Sequence, residues 1–174
     1  MNPALGPFAI AACLLVLGGV AKALRPHDTA VAVGLAGLPG NDAVVRIGGV
    51  AEAVLGVVAL LTVDVPVAVL VALSYAAFCS FVALAMVRGL PIRSCGCFGR
   101  VDTPPDLVHL GITAGAFVAA VGMALDTGAS PLDAATDHGT ASAVYAVLGA
   151  IGVLATFALL TVVPRSRVRP RAVV

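Results

Sequence analysis

The sequence has few charged and few aromatic residues. Charged side chains make up 11% of its 174 residues and hydrophobic side chains 60%, with a mean hydropathy of +1.09. A soluble domain of this size needs far more polar surface to stay dispersed, so this composition excludes one. Tryptophan is absent and tyrosine occurs only twice, so no aromatic belt can mark the ends of membrane spans. The composition predicts an integral membrane protein.

Five long apolar runs follow one another along the chain. Each can form a membrane-spanning helix, because a bilayer core ~30 Å thick needs about 20 apolar residues per helix. The runs are continuous blocks of Ala, Val, Leu and Gly, without the alternation of a membrane β-barrel. We predict an all-α, polytopic membrane bundle with spans at about 4–24, 45–64, 66–87, 107–125 and 142–163. Residues 1–164 would form one integral membrane domain, followed by a basic tail at 165–174.

The first apolar run resembles a signal peptide in one respect only. Its end contains the small-x-small pattern Ala21-Lys22-Ala23, which a signal peptidase could cut. However, no Lys or Arg precedes Leu5, and the run is long enough to cross a bilayer. We therefore expect it to remain as the first span.

Lysine and arginine are distributed very unevenly between the two sides of the predicted bundle. With alternating spans, the side that carries the N-terminus receives none, and the opposite side receives all ten: Lys22, Arg25, Arg46, Arg88, Arg93, Arg100, Arg165, Arg167, Arg169 and Arg171. Loops rich in Lys and Arg stay in the cytoplasm. This predicts a multi-pass protein of the cell membrane with its N-terminus outside and its C-terminus cytoplasmic.

Two connectors carry signals for helix starts and stops. Between the first two spans we predict a short interfacial or re-entrant helix at about 28–37, ended by "GLPGND", with Asn41 or Asp42 capping the next helix. Before the fourth span, Asp102 or Thr103 is the expected cap.

The remaining polar segments show no recognisable chemistry. Residues 126–141 form an acidic connector with no predicted element, and the basic tail suits contact with anionic lipid headgroups. There is no nucleic-acid-binding module and no phosphate-binding loop. The expected partner is the lipid bilayer, and nucleic acid is not expected.

The segment "RSCGCFGR" places Cys95 and Cys97 one residue apart in a polar loop. Such thiols can form a small-ring disulfide, act as attacking and resolving thiols, or ligate a soft metal; they can also be unreactive. Gly96 permits a tight backbone, and Arg93 and Arg100 favour the thiolate form. Two sulfurs leave a tetrahedral ion two ligands short, so we assign no metal site.

Three further residues could support thiol chemistry. His109, at the start of the fourth span, could act as a base for a thiol or be a polar residue at a helix end. Cys79 lies about eight residues, or ~12 Å, below the membrane surface, and Cys13 near the middle of the first span. Each is either a small core residue or part of a relay of reducing equivalents.

Glu52 is predicted within the second span, about seven residues or ~10 Å deep. A carboxylate there costs several kcal/mol unless it is paired, and Lys22 is its best partner. Arg46 completes the polar cluster but lies on another face of the helix. The cluster could fix helix packing, or it could form a proton or quinone-head-group site. Small residues would let helices approach around it: Gly48, Gly49, Ala53, Gly56, Gly149 and Gly152.

Several segments together resemble a known membrane family. "GGVAKALRP" closes the first span, "GLPG" precedes the second, and "RIGGVAEAVLGVVALL" lies in the second. This layout is similar to the DoxX-type four-helix membrane fold, to which a fifth span is added. The "SCGCFG" segment resembles the MauE branch, the methylamine utilisation membrane proteins. The resemblance covers roughly residues 4–125.

The resemblance implies support for maturation of methylamine dehydrogenase, or of a similar disulfide-containing exported protein, with a thioredoxin-like partner. Cys95 and Cys97 would be the redox thiols, and Lys22 and Glu52 the polar pair. That maturation is extracytoplasmic, whereas the charge rule places the thiol loop in the cytoplasm. Electrons would then cross the membrane, or the threading is displaced by one span.

Two other classes of function fit the same residues. A soft-metal or small-molecule carrier could use the Cys-Gly-Cys loop as its entry site. A non-catalytic scaffold could use the loop only to dock a partner. No cofactor is certain from the sequence, and a quinone is compatible with the polar cluster.

Overall fold

A computed structural model of the chain shows seven α-helices and no strand among the residues that it describes. Those residues are 2–62, 64–90, 105–126, 130–136 and 139–161. The helices are α1 (Leu5–Leu24), α2 (His27–Leu35), α3 (Asp42–Leu61), α4 (Val65–Val87), α5 (Leu107–Leu125), α6 (Pro131–Thr136) and α7 (Thr140–Thr161). Five of them, all but α2 and α6, are long and apolar enough to cross a membrane. The all-α, multi-pass prediction is confirmed.

Local chemistry sets the ends of these helices. The Asn41 side chain accepts a hydrogen bond from the backbone N–H of Ala43 at 2.8 Å, so Asn41 caps α3 as predicted. Gly37, with φ of 85°, follows α2, and the backbone N–H of Leu38 donates to the carbonyl of Val33. Gly89, with φ of 57°, ends α4 in the same way. Both turns need the left-handed conformation that glycine adopts readily.

One local prediction was wrong, and one short helix was not predicted. The cap of α5 is Asp106 instead of Asp102 or Thr103, because the helix begins only at Leu107. The acidic connector also contains α6, where the Ser130 hydroxyl accepts a hydrogen bond from the backbone N–H of Asp133. Hydropathy alone does not reveal so short a helix.

Helices α1, α3, α4 and α5 form a four-helix core. Helix α1 packs most extensively on α3, and α4 on α5; contacts of α1 with α5 and of α3 with α4 close the bundle. Its interior includes Phe8, Leu15, Val71, Tyr75 and Met123, all buried. Helix α7 lies outside, mainly against α1, and most of its side chains are exposed. Because these side chains are apolar, they suit contact with lipid.

Glycines bring α1 and α3 into backbone contact. A Cβ atom on Gly19 would lie 2.5 Å from the Gly49 carbonyl oxygen, and one on Gly49 would lie 2.7 Å from the Gly19 carbonyl oxygen. Gly56 meets the Ala12 backbone equally closely. Gly48, by contrast, faces open space. The expected close approach of small residues is therefore present, but Gly48 has no part in it.

Candidate functional site

The polar centre of the bundle is an ion pair between Lys22 of α1 and Glu52 of α3. Glu52 lies ten residues into its helix, or ~15 Å along the axis, because α3 begins earlier than hydropathy indicates. The Lys22 side chain is 6% exposed and that of Glu52 23%. The tight glycine contact one turn away holds the two helices close enough for the pair to form. The structure thus joins the two residues that the sequence analysis paired.

The ion pair has one aromatic neighbour and a carboxylate oxygen without a hydrogen bond. The Lys22 ammonium lies 4.2 Å from the centre of the Phe78 ring, which allows a cation–π interaction. Glu52 Oε2 is buried and meets Lys22, yet forms no hydrogen bond of good geometry within the described part of the chain. The positive charge of Lys22 compensates the negative charge of Glu52, and a lone pair of Glu52 Oε2 remains to accept a hydrogen bond from a water or a ligand.

A small cavity opens beside this pair. Its volume is about 40 Å³, and its lining includes Lys22, Glu52, Tyr75, Phe78, His109 and Thr113. At about 10–15 Å³ per water, that is room for about three water molecules. A quinone ring needs more space, so a quinone would require the cavity to widen. The quinone site stays a prediction.

His109 of α5 contributes a buried imidazole to the cavity wall. The residue is 1% exposed, and its Nδ1 lies 2.8 Å from Asp106 Oδ1. Asp106 Oδ1 also accepts the backbone N–H groups of Val108 and His109, both at 3.0 Å. Burial by itself would raise the pKa of Asp106, but the hydrogen bonds and charge of His109 and the hydrogen bond from Val108 outweigh it, so the pKa lies below its usual value.

Tyr75 ties the far wall of the cavity to α1. Its hydroxyl donates a 2.7 Å hydrogen bond to the carbonyl of Ala11, and its ring meets Phe78 edge to face at 5.9 Å. This contact orders the Phe78 ring that faces Lys22. Sequence reasoning missed Tyr75, Phe78 and Asp106. Only Asp106 had a usable signal, the Asp-x-x-His spacing that places both side chains on one helical turn.

The other predicted site residues do not join this cluster. Arg46 is exposed, with no ion pair or hydrogen bond to another residue that the structure describes. Cys13 and Cys79 are free, half-buried thiols. Cys13 lines a separate apolar groove of about 540 Å³ between α1, α6 and α7, and Cys79 lines neither that groove nor the cavity. The two thiols therefore share neither of these two cavities, and their relay role stays a prediction.

Cys95 and Cys97 lie outside the described residues, as do Asp102, Thr103 and the basic tail. Their segment joins α4 to α5, so its two ends, Leu90 and Pro105, lie at the end of the bundle where Asp106 is found. No group of three or more His, Cys, Asp or Glu side chains suited to a metal ion occurs in the described ranges. The roles of the two thiols stay predictions.

The chain matches the model of a known protein family. The family model for "Methylamine utilisation protein MauE" matches residues 3–126, which is most of the chain. The chain belongs to the MauE family. The matched region contains α1 to α5, with Lys22, Glu52, His109 and both loop thiols. No curated protein and no solved structure matches the chain.

Membership in the MauE family and the five apolar helices fit a multi-pass membrane protein related to methylamine utilisation. The match ends before α6 and α7, so the fifth apolar helix lies outside the matched residues. The additional likeness to DoxX-type proteins stays a prediction.

Proposed function

We propose that this MauE-family protein is a membrane thiol–disulfide factor that supports maturation of methylamine dehydrogenase or a similar disulfide-containing exported protein. The observation that carries the proposal is the position of the Cys-Gly-Cys segment. It lies within the region that matches the family, and it connects α4 and α5, two helices that line the polar cavity. A thioredoxin-like protein is the proposed partner.

The reaction is a thiol–disulfide exchange between the thiols of Cys95 and Cys97 and a disulfide of the partner protein. A thiolate attacks one sulfur of the partner's disulfide and forms a mixed disulfide, and the second thiolate then resolves it. One pair of thiols becomes a disulfide while the other disulfide becomes two thiols. No external oxidant is consumed in this step, and it can run in either direction.

The buried cluster supports the proposal through proton chemistry. Only a thiolate attacks a disulfide, so each thiol must first lose its proton. An imidazole, a carboxylate and an ammonium group line one cavity, and the imidazole, that of His109, lies in the first turn of α5, the helix that follows the thiol segment in the sequence. Arg93 and Arg100 on either side of the thiols add positive charge that favours the thiolate.

The side on which exchange occurs follows from the charge distribution. With the N-terminus outside, the segment between α4 and α5 faces the cytoplasm, together with every Lys and Arg of the chain. Reducing equivalents would then enter from a cytoplasmic dithiol donor. Each such exchange converts a Cys95–Cys97 disulfide into two thiols and leaves the donor with a disulfide.

Labelling of thiols in intact cells tests both the redox state and the side. In a Cys13→Ala/Cys79→Ala background, only Cys95 and Cys97 can react with a membrane-impermeant maleimide of high mass. We expect labelling only after the cells are permeabilised and reduced. Labelling of unpermeabilised cells would overturn the cytoplasmic assignment and favour direct oxidation of exported proteins.

Substitution of one thiol tests the reaction itself. Cys97→Ser should abolish exchange with a thioredoxin-like partner while membrane insertion stays normal, because the mixed disulfide can no longer be formed and resolved by the pair. Ser94→Ala, next to the pair, is the matched control and should retain exchange. Normal exchange in Cys97→Ser would refute the proposal. Copper or zinc that copurifies in proportion to the protein, and is lost on substituting either Cys, would favour a soft-metal carrier instead of a thiol–disulfide factor.

A further inference from the structure

The apolar groove of about 540 Å³ between α1, α6 and α7 is the largest open space of the described bundle that the polar site does not use. Leu60 of α3 also contributes to its lining. Every lining residue is apolar except Cys13 and Tyr145, and the Tyr145 hydroxyl lies 3.5 Å from the Leu5 carbonyl oxygen, to which it donates. The groove therefore suits hydrocarbon much better than a polar ligand.

The groove is a gap in the packing of α7 on α1. A Cβ atom on Gly152 would clash with the Ile10 side chain, so the two helices are in close contact at that level. Gly149 lies about one turn nearer to α6 and lines the groove, and a Cβ atom on it would meet nothing within 4 Å. An apolar occupant beside Gly149 would restore the close packing that protein interiors have.

The groove extends over about the depth of one lipid leaflet. On α7 its lining runs from Tyr145 to Leu154, nine residues along the helix or ~14 Å. One leaflet contributes about 15 Å to a bilayer core that is ~30 Å thick. Helices α1 and α7 are both long and apolar enough to cross a membrane. Because water does not fill an apolar cavity, an acyl chain from the surrounding leaflet is the occupant that fits.

The charges at this end of the bundle select the headgroup of the lipid. Asp64 precedes α4, Asp126 follows α5 and Asp133 lies on α6, and all three are exposed. The described Lys and Arg residues lie toward the opposite end: Lys22, Arg25, Arg46 and Arg88. A headgroup with an ammonium group is attracted to the acidic end, whereas a headgroup with net negative charge is repelled.

We propose that the groove binds one acyl chain of a phosphatidylethanolamine molecule. The chain lies along α7 between Tyr145 and Leu154, and the ammonium of the headgroup lies near Asp133, which follows the groove residue Leu132. No covalent bond changes on binding. Helices α6 and α7, which form two walls of the site, lie outside the residues that match the family, and the site is independent of the proposed thiol chemistry.

Native mass spectrometry tests the site by the lipid that stays bound. The 174-residue chain is released from nanodiscs that contain equal amounts of phosphatidylethanolamine and phosphatidylglycerol, and we expect it to retain a single phosphatidylethanolamine. Gly149→Phe should lose this lipid, because the new ring would occupy the open space in the groove. Ala155→Phe adds the same ring to an exposed position of α7 outside the groove, so this matched control should retain the lipid.

Three results would overturn the proposal. The first is a Gly149→Phe variant that retains as much phosphatidylethanolamine as Ala155→Phe does. The second is a wild type that retains both phospholipids equally, and the third is a wild type that retains a quinone in their place. Circular dichroism of each variant shows whether its helix content equals that of the wild type.

Substitution of Asp133 tests the position of the headgroup. Asp133→Asn should lower the preference for phosphatidylethanolamine over phosphatidylglycerol by roughly fivefold, the effect of one charge at a membrane surface. Asp28→Asn, on α2 at the opposite end of the bundle, is the control and should keep the preference. An unchanged preference in Asp133→Asn would contradict the placement of the ammonium.

Photocrosslinking locates the acyl chain without any substitution. A phosphatidylethanolamine with a diazirine in its acyl chain is bound to the wild type, retained through purification and then irradiated. We expect crosslinks on the peptides that contain residues 9–13 and 145–154, which line the groove. Crosslinks confined to α4 and α5 would refute the site. Neither experiment depends on thiol exchange, so failure here is distinguishable from failure of the proposed function.

Discussion

Removing one member of the Lys22–Glu52 pair should destabilise the protein much more than removing both. Breaking a buried ion pair by deleting one partner costs about 3–5 kcal/mol, because the other charge stays behind without compensation. In Lys22→Met the Glu52 carboxylate loses its partner, and Oε2 has no hydrogen bond from the described residues to replace it. We therefore expect the full loss in this variant.

The loss in Glu52→Gln should be smaller. The remaining ammonium keeps the Phe78 ring at 4.2 Å, and a desolvated cation–π contact contributes about 2 kcal/mol. We expect Glu52→Gln to be roughly 1–2 kcal/mol less damaging than Lys22→Met. The double variant Lys22→Met/Glu52→Gln should recover most of the lost stability, because no uncompensated charge remains.

Reversible unfolding in mixed micelles, with increasing SDS and helix content followed by circular dichroism, measures these differences. The four proteins form a double-mutant cycle, and we expect a coupling energy of about 2 kcal/mol or more. Single variants within about 0.5 kcal/mol of the wild type, with additive effects, would refute the reasoning, since they would show a solvated pair. Equal losses in both single variants would refute the role assigned to Phe78.

Three further predictions concern stability. Gly49→Ala should lower the free energy of unfolding by about 1–3 kcal/mol in the same assay, since its Cβ would lie 2.7 Å from the backbone of α1. The adjacent Gly48→Ala meets open space, so its effect should be zero or a gain of up to about 1 kcal/mol. Similar losses in both variants would contradict the close approach of α1 and α3. Asn41→Ala should cost about 1 kcal/mol through loss of the α3 cap, and a cost within about 0.2 kcal/mol of zero would contradict the capping role. The pKa of Asp106 is lower in the folded protein than in the unfolded chain, where it is near 3.8. The charge of Asp106 therefore stabilises the fold fully at pH values above the unfolded pKa, and this stabilisation is lost as the pH falls through the folded pKa. Melting temperatures of the wild type and Asp106→Asn, which keeps the cap, should accordingly differ at neutral pH and converge below about pH 4; a constant difference would contradict this assignment.

The membrane architecture could be predicted from composition because lipid imposes a simple requirement. Every span needs about 20 apolar residues and an internally satisfied backbone, so the five runs identify the five long helices. Their predicted ends differ from the observed ends by a few residues, since polar residues such as Asp42 extend α3 beyond the apolar run. The short helix α6 was missed because its length and composition give no such signal.

Pairing of Lys22 with Glu52 was also predictable, since a charge within the bilayer needs an opposite charge and few were present. The other residues that line the cavity could not be predicted. Phe78 and Tyr75 lie in an α4 sequence that is apolar almost throughout, so nothing in it distinguishes the face that meets α1. Likewise, Gly48 and Gly49 are adjacent residues of the same type, and the sequence does not show that Gly49 faces α1 while Gly48 does not.

By itself, the sequence determined the number of long apolar helices, the asymmetry of positive charge and the pairing of Lys22 with Glu52, because each follows from residue type and the bilayer's demand for apolar length. Only the tertiary structure decided which face of each helix turns inward. It thereby enclosed His109 with Lys22 and Glu52 around one small cavity and left Arg46 outside it. The physical reason is that helix rotation depends on close packing between neighbouring helices, and the glycine contacts that establish it here connect residues far apart in the chain.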